Sequence, residues 1–217
     1  MDTKTVDRIF ATFAAQNPEP KTELHSTNSY TLLVAVVLSA QATDIGVNKA
    51  TKALFEHVDT PEKMLALGLE GLKHYVKTIG LYNTKSENII KLSHILVEQY
   101  HSQVPESFEN LVRLPGVGIK TANVILNCAF GHPVIAVDTH VFRVSNRLGL
   151  VHTSSPNSTG DVLRTAIPGK WRMHAHHWLI LHGRYICKAR KPLCHTCTVA
   201  KWCEYYHTLE QKSLIRK

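Results

Sequence analysis

The amino-acid sequence predicts an all-α fold, and three observations carry that reading. Apolar residues recur three and four positions apart through most of the 217 residues. No run alternates apolar and polar residues long enough to demand a sheet. Helix-start signals punctuate the chain, as in Thr60-Pro61-Glu62, where an N-cap, a first-turn proline and a first-turn acid follow in order.

Taken from the start, Val6, Ile9, Phe10 and Phe13 fall on one face of a short helix that Asn17-Pro18-Glu19-Pro20 ends. That proline pair is the first candidate domain crossing. Tyr30 to Ala40 is apolar nearly all round, the signature of a buried central helix. The polar stretch Ser39-Ala40-Gln41-Ala42-Thr43-Asp44 follows it, and a further helix is expected from Asp44 to Val58.

Another begins at Thr60-Pro61, and Ile79-Gly80-Leu81-Tyr82-Asn83 is a loop before a helix with Ile89, Leu92 and Leu96 on one face. Pro105-Glu106 is expected to open a short helix. After Gly131-His132-Pro133 the chain enters a second region. Asp138 starts a helix with Val141, Val144, Ser145 and Leu148 on one side, Asn157–Ile167 is stopped by Pro168-Gly169, and Met173–Ile186 is the last long helix.

Composition narrows the function. Lys and Arg number 25 against 17 acids, a net +8, and the pI is near 9.3. Such a balance favours a polyanionic partner through phosphate contacts and counterion release. The most apolar run, Leu32–Leu38, is far shorter than the roughly 20 residues that span a bilayer. The first residues carry charges among the apolar positions and lack the core of a secretion signal, so the expected location is cytoplasmic, with the nucleoid. In that reducing setting the five cysteines are not read as disulfides.

Four of them cluster as Cys187-x6-Cys194-x2-Cys197-x5-Cys203. Four thiolates so close together can converge on one metal centre, and their softness suits either zinc or an iron–sulfur cluster. Cys128 lies among apolar neighbours and reads as core. Lys188, Arg190 and Lys191 stand between the first two cysteines, as either a basic finger for a phosphate backbone or a solvated charge run. His174, His176, His177 and His182 crowd one helix, but their spacing completes no four-ligand set with the cysteines, and they read as core or surface imidazoles.

The chain is organised around Leu114-Pro115-Gly116-Val117-Gly118-Ile119-Lys120-Thr121-Ala122 and the Asp138 that follows. Two glycines at alternate positions allow left-handed backbone and a close approach. A helix then opens, with Ala122, Ile125, Leu126 and Ala129 on one face. Its N–H groups and dipole suit an anion, so Lys120 in its first turn is electrostatically misplaced. That suits an amine that must lose its proton; an ordinary surface lysine on a capped turn is the other reading.

Leu-Pro-Gly-Val-Gly-x-Lys-Thr-Ala followed by Val137-Asp138-Thr139 resembles the helix-hairpin-helix signature of the base-excision DNA glycosylases. With the cysteine spacing, the resemblance is to the endonuclease III family and runs from Leu32 through Cys203. It implies a bifunctional DNA N-glycosylase and abasic-site lyase acting on oxidised pyrimidines in duplex DNA by β-elimination. The expected architecture is a central helical lobe at 22–133 holding the hairpin. Residues 1–21 with 134–217 would form a discontinuous cluster lobe, with a DNA cleft between the two.

The resemblance makes Lys120 and Asp138 catalytic, and Cys187, Cys194, Cys197 and Cys203 the ligands of a [4Fe–4S] cluster. It makes Gln41 and Leu81 the residues inserted into the base stack, and Gly116 and Gly118 a phosphate grip acting through a bound monovalent cation. His140 would line the pocket. An amine nucleophile forms a Schiff base with the sugar, and a carboxylate stabilises the developing sugar cation. Ile119 departs from the Arg common in relatives, which removes one cation from the DNA-facing turn.

The expected partner is double-stranded DNA with damaged bases or abasic sites, bound by a monomer. Two other readings stand beside this one. A monofunctional adenine mismatch glycosylase shares the cluster and hairpin but has no lysine at position 120 and carries a further C-terminal domain. A non-catalytic hairpin DNA-binding module with a structural metal would have no need of Asp138.

Overall fold

The computed structural model describes residues 1–215, and among them every regular element is helical. The chain divides into two compact units, Thr22–Gly131 and, discontinuously, Met1–Lys21 with the chain from His132 onward.

Within the first unit, α2 (Ser29–Ser39) is the central element, with every residue from Tyr30 to Leu38 buried. Asn28 caps it, accepting the Thr31 N–H at 2.9 Å, while the Thr31 hydroxyl accepts the Asn28 N–H at 3.0 Å. Around α2 pack α3 (Asp44–Phe55), α5 (Tyr82–Tyr100) and α7 (Ile119–Phe130). Each Leu or Val so buried contributes about 1.5–3 kcal/mol of transfer free energy. Tyr30, buried in this core, meets the Ser93 hydroxyl at 2.6 Å.

Sequence periodicity misplaced several boundaries. Asp44–Val58 ends at Phe55, one turn early. The helix α4 (Pro61–Val76) begins at the expected cap, but Gly68 interrupts it at φ 74° and ψ 172°, a conformation that its lack of Cβ permits. Pro105-Glu106 opens no helix. The short α6 (Phe108–Leu111) starts after Ser107, whose hydroxyl accepts the Asn110 N–H at 3.2 Å and is the stronger cap.

The second unit joins α1 (Thr3–Gln16) to α8 (Thr139–Leu148), α9 (Pro156–Ala166), α10 (Gly169–Tyr185) and α11 (Glu204–Ile215). Ile9, Phe10 and Phe13 enter one core with Val141, Val144, Leu163 and Trp178. Two indoles fix α1 there: Trp171 donates to Asp7 Oδ1 and Trp178 to the Asn17 carbonyl, both at 2.8 Å. Pro168, expected only as a stop, also begins α10, four residues ahead of Met173. Its fixed φ and missing N–H suit a helix start as well as a helix end. No helix among the described residues is long and apolar enough to cross a membrane.

Candidate DNA-repair site

The hairpin turn lies between α6 and α7. Gly116 takes φ +78°, and a Cβ there would press on Asn88 and Val37 at 3.1–3.3 Å, so glycine is required twice over. Gly118 behaves differently from the sequence expectation. It is the extended N-cap of α7, with φ −94° and ψ 178°, and a Cβ added there would meet nothing within 4 Å. It supplies no side-chain cap, so the first N–H groups of α7 keep their anion-seeking character. Lys120 is the second residue of this helix and its side chain is exposed. Ile119 beside it is 55% exposed.

Asp138 is the N-cap of α8. Its Oδ1 takes both cap hydrogen bonds, from the His140 N–H at 2.9 Å and the Val141 N–H at 2.8 Å. The α8 N-terminus thus fixes the carboxylate on a partly exposed edge of its unit. His140 is turned toward Arg143, whose guanidinium reaches its Nδ1 at 3.2 Å.

Cys187, Cys194, Cys197 and Cys203 line one hollow with Leu148, His182 and Tyr205. Burial pushes the thiols of Cys194 and Cys197 up, and that of Cys203 to about 11. Of the α10 histidines, His174 is half-buried and His176, His177 and His182 are buried: His176 Nδ1 meets the Ala136 carbonyl at 2.7 Å, and His182 Nε2 lies 3.6 Å from Cys197 Sγ. Cys128 is half-buried, and burial raises its thiol too to about 11. Lys188, Arg190 and Lys191 are exposed, and Lys191 takes φ +50° before Pro192.

Two arginines that sequence reasoning missed bind this loop to α8. Arg143 donates to the carbonyls of Cys187 at 3.1 Å and Gly183 at 2.9 Å. Arg147 donates to the carbonyls of Lys188 at 2.7 Å and Ala189 at 3.0 Å, reaches Cys187 Sγ at 3.5 Å, and lies 4.7 Å from the centre of the Tyr205 ring. Their spacing of four residues was the available signal, since it puts both on one face of α8 just after Asp138.

Gln41 and Leu81 are both exposed, Leu81 by 63%, and both hold left-handed backbone, at φ 56° and 60°. Lys85 is the other residue that sequence reasoning passed over. It is only 6% exposed, and its ammonium donates to the carbonyls of Leu38 at 2.9 Å and Ala40 at 2.6 Å. Burial holds its pKa below the ordinary lysine value.

The family model of HhH-GPD superfamily base excision DNA repair proteins matches residues 34–168. The chain belongs to this superfamily. Within it, endonuclease III of Rickettsia conorii is 59% identical over 97% of this chain and 100% of its own length. Endonuclease III of Escherichia coli K12 is 53% identical over 91% and 93%. The solved structure of a trapped endonuclease III–DNA covalent intermediate matches with a TM-score of 0.89 at 42% identity, covering 97% of this chain and 99% of that one. A non-covalent endonuclease III–DNA complex matches with a TM-score of 0.90, also at 42% identity and the same coverage. The resemblance to endonuclease III is therefore a full-length relationship, and it sets the activity class: base-excision repair on DNA, as glycosylase and lyase.

Proposed function

We propose that the chain removes oxidised pyrimidines from duplex DNA and then breaks the strand at the abasic site by β-elimination, with Lys120 as nucleophile. The observation that carries this is the place of Lys120: an exposed amine on the second residue of an uncapped helix N-terminus, directly after the hairpin turn. The N–H groups of that terminus attract phosphate, which would bring the strand to the amine. Attack of the neutral amine on the sugar C1′ forms a C–N bond as the bond to the base breaks. Opening of the sugar ring at the C1′–O4′ bond, with O4′ taking the proton lost from the nitrogen, then gives the imine; it makes the C2′ proton acidic, and loss of that proton expels the 3′ phosphate.

Asp138 is assigned to stabilise the positive charge that develops on the sugar. Gln41 and Leu81 are assigned to fill the space left when the damaged base leaves the stack. The hairpin backbone at Gly116 and Gly118, with Lys191 on the cysteine loop, is assigned to the phosphate backbone.

Cys187, Cys194, Cys197 and Cys203 are the assigned ligands of a [4Fe–4S] cluster. The fit rests on their arrangement. All four thiols line one hollow. Four soft thiolate donors brought to one place suit an iron–sulfur cluster. When bound, such a cluster supplies four sulfur-ligated irons that cross-link the loop. The chain itself holds that loop through Arg143 and Arg147. Ligation requires thiolates, so loading must release the protons that burial keeps on Cys194, Cys197 and Cys203.

The test is borohydride reduction during turnover, which converts an imine into a stable amine. Wild-type protein should become covalently attached to a duplex carrying an oxidised pyrimidine, with the cross-link mapping to Lys120. Lys120→Ala should abolish trapping and nicking while still binding duplex. Trapping that persists in Lys120→Ala would overturn the assignment.

A further inference from the structure

We propose that Lys85 is a positioning residue that sets the two stack-filling loops in register, by fixing the peptide before Gln41 and the helix start at Leu81. The proposal rests on the reading of Gln41 and Leu81 given above.

Ser39 to Ala42 form a tight turn, closed by the Ala42 N–H donating to the Ser39 carbonyl at 3.0 Å. Its central residues are Ala40, at φ −56° and ψ 116°, and Gln41, at φ 56°. These are the angles of a type II turn, whose third residue is ordinarily glycine or asparagine because its φ is positive. Gln41 is neither, so the turn is strained and needs support from outside.

What separates type II from the commoner type I turn is the orientation of the central peptide, here the Ala40 carbonyl. Lys85 Nζ holds that carbonyl at 2.6 Å, and the Leu38 carbonyl of the last turn of α2 at 2.9 Å. Releasing the clamp would let the peptide rotate and Gln41 relax to negative φ, pointing its side chain elsewhere.

The same lysine sits in the first turn of α5, where its own N–H donates to the Leu81 carbonyl at 3.1 Å. Leu81 is the N-cap of that helix, and no side chain caps it. One residue is therefore tied by its backbone to the carbonyl of one projecting residue and by its ammonium to the turn that projects the other. A buried cation is a costly way to end a helix that Gly or Asn could end. The expense is understandable if residue 41 must be a long amide held in a glycine's conformation.

The experiment compares Lys85→Met, Gln41→Ala and Leu81→Ala in single-turnover excision of thymine glycol from duplex DNA. It is run alongside borohydride trapping on a single-stranded abasic oligonucleotide, which has no stack to fill. Lys85→Met should slow duplex excision about tenfold while single-strand trapping stays within about twofold. Fluorescence of 2-aminopurine opposite a tetrahydrofuran site, which reports how the gap is filled, should shift as it does for Gln41→Ala. Adding Lys85→Met to Gln41→Ala should slow excision by far less than the product of the two single effects, since both act on one turn.

Should Lys85→Met not fold, Lys85→Gln, which keeps a donor on a shorter arm, should show the same selective loss at smaller size. Equal losses on both substrates, or none, would overturn the role of Lys85. If Gln41→Ala and Leu81→Ala are themselves without effect, the stack-filling reading falls, and this proposal with it. If they slow excision and Lys85→Met does not, only the proposal falls.

Discussion

Asp138 Oδ1 accepts the Val141 N–H at 2.8 Å, so the carboxylate assigned to the sugar cation is also the cap of the helix that carries Arg143 and Arg147. The two duties can be separated. Asn is as good a cap as Asp, and Ala is a poor one. Asp138→Asn should keep thermal stability yet lower single-turnover base excision on the order of a hundredfold or more. Asp138→Ala should lose as much rate and also about 1 kcal/mol of stability, read from denaturant midpoints. Full activity in Asp138→Asn would remove the carboxylate from the mechanism.

Lys188, Arg190 and Lys191 are all exposed on a loop that Arg143 and Arg147 hold. If they neutralise phosphates, affinity for undamaged duplex should fall steeply with salt. Lys191→Ala should lower the slope of log K against log salt by about one and weaken all sequences alike. A slope unchanged by the substitution would mark the loop as a solvated surface.

Anaerobically purified protein should be yellow-brown and carry about four irons per chain with little zinc. Arg147→Met removes two carbonyl contacts and the 3.5 Å approach to Cys187 Sγ. It should hasten loss of the visible absorbance under chelator several-fold while leaving helix content unchanged. Stoichiometric zinc in the native protein would contradict the cluster.

Burial, with the neighbouring His174 second, pushes His177 down to about 4. Its unfolded value is near 6.5. Below that value the unfolded chain takes up a proton that the folded chain refuses, so the stability contributed by neutral His177 is complete above pH 6.5. It is lost progressively between about 6.5 and 4, to a maximum near 3 kcal/mol. Denaturant midpoints measured across this window should fall with pH, and His177→Gln should flatten the decline. A midpoint equally acid-sensitive in His177→Gln would assign the effect elsewhere.

Much of this was legible in the residues because it is local. The unbroken apolar run of α2, the cap at Thr60, and the glycine pair before Lys120 each act within a turn or two of chain. The four cysteines sit close enough in sequence that one hollow is a short step. What could not be read depends on contacts across long separations. Lys85 reaches carbonyls 47 and 45 residues away, so nothing beside it in the sequence marks it as buried. Arg143 and Arg147 look like ordinary polar-face residues until the cysteine loop folds against them. Gly116 and Gly118 look alike in sequence, yet only the first is crowded by Asn88 and Val37. Pro105 misled because a nearer cap, Ser107, was available.

The discontinuous unit also dictates an order of assembly. Trp178, which donates to the Asn17 carbonyl, lies 161 residues downstream of it. At elongation rates of roughly 5–20 residues per second the apolar face of α1 must wait on the order of ten seconds or more after leaving the ribosome before its partner emerges. Thr22–Gly131 can fold meanwhile, so the first segment made is among the last placed. The four cysteines come later still. A chain cut short before Cys187 lacks all four of these thiols, so it cannot bind whatever they hold.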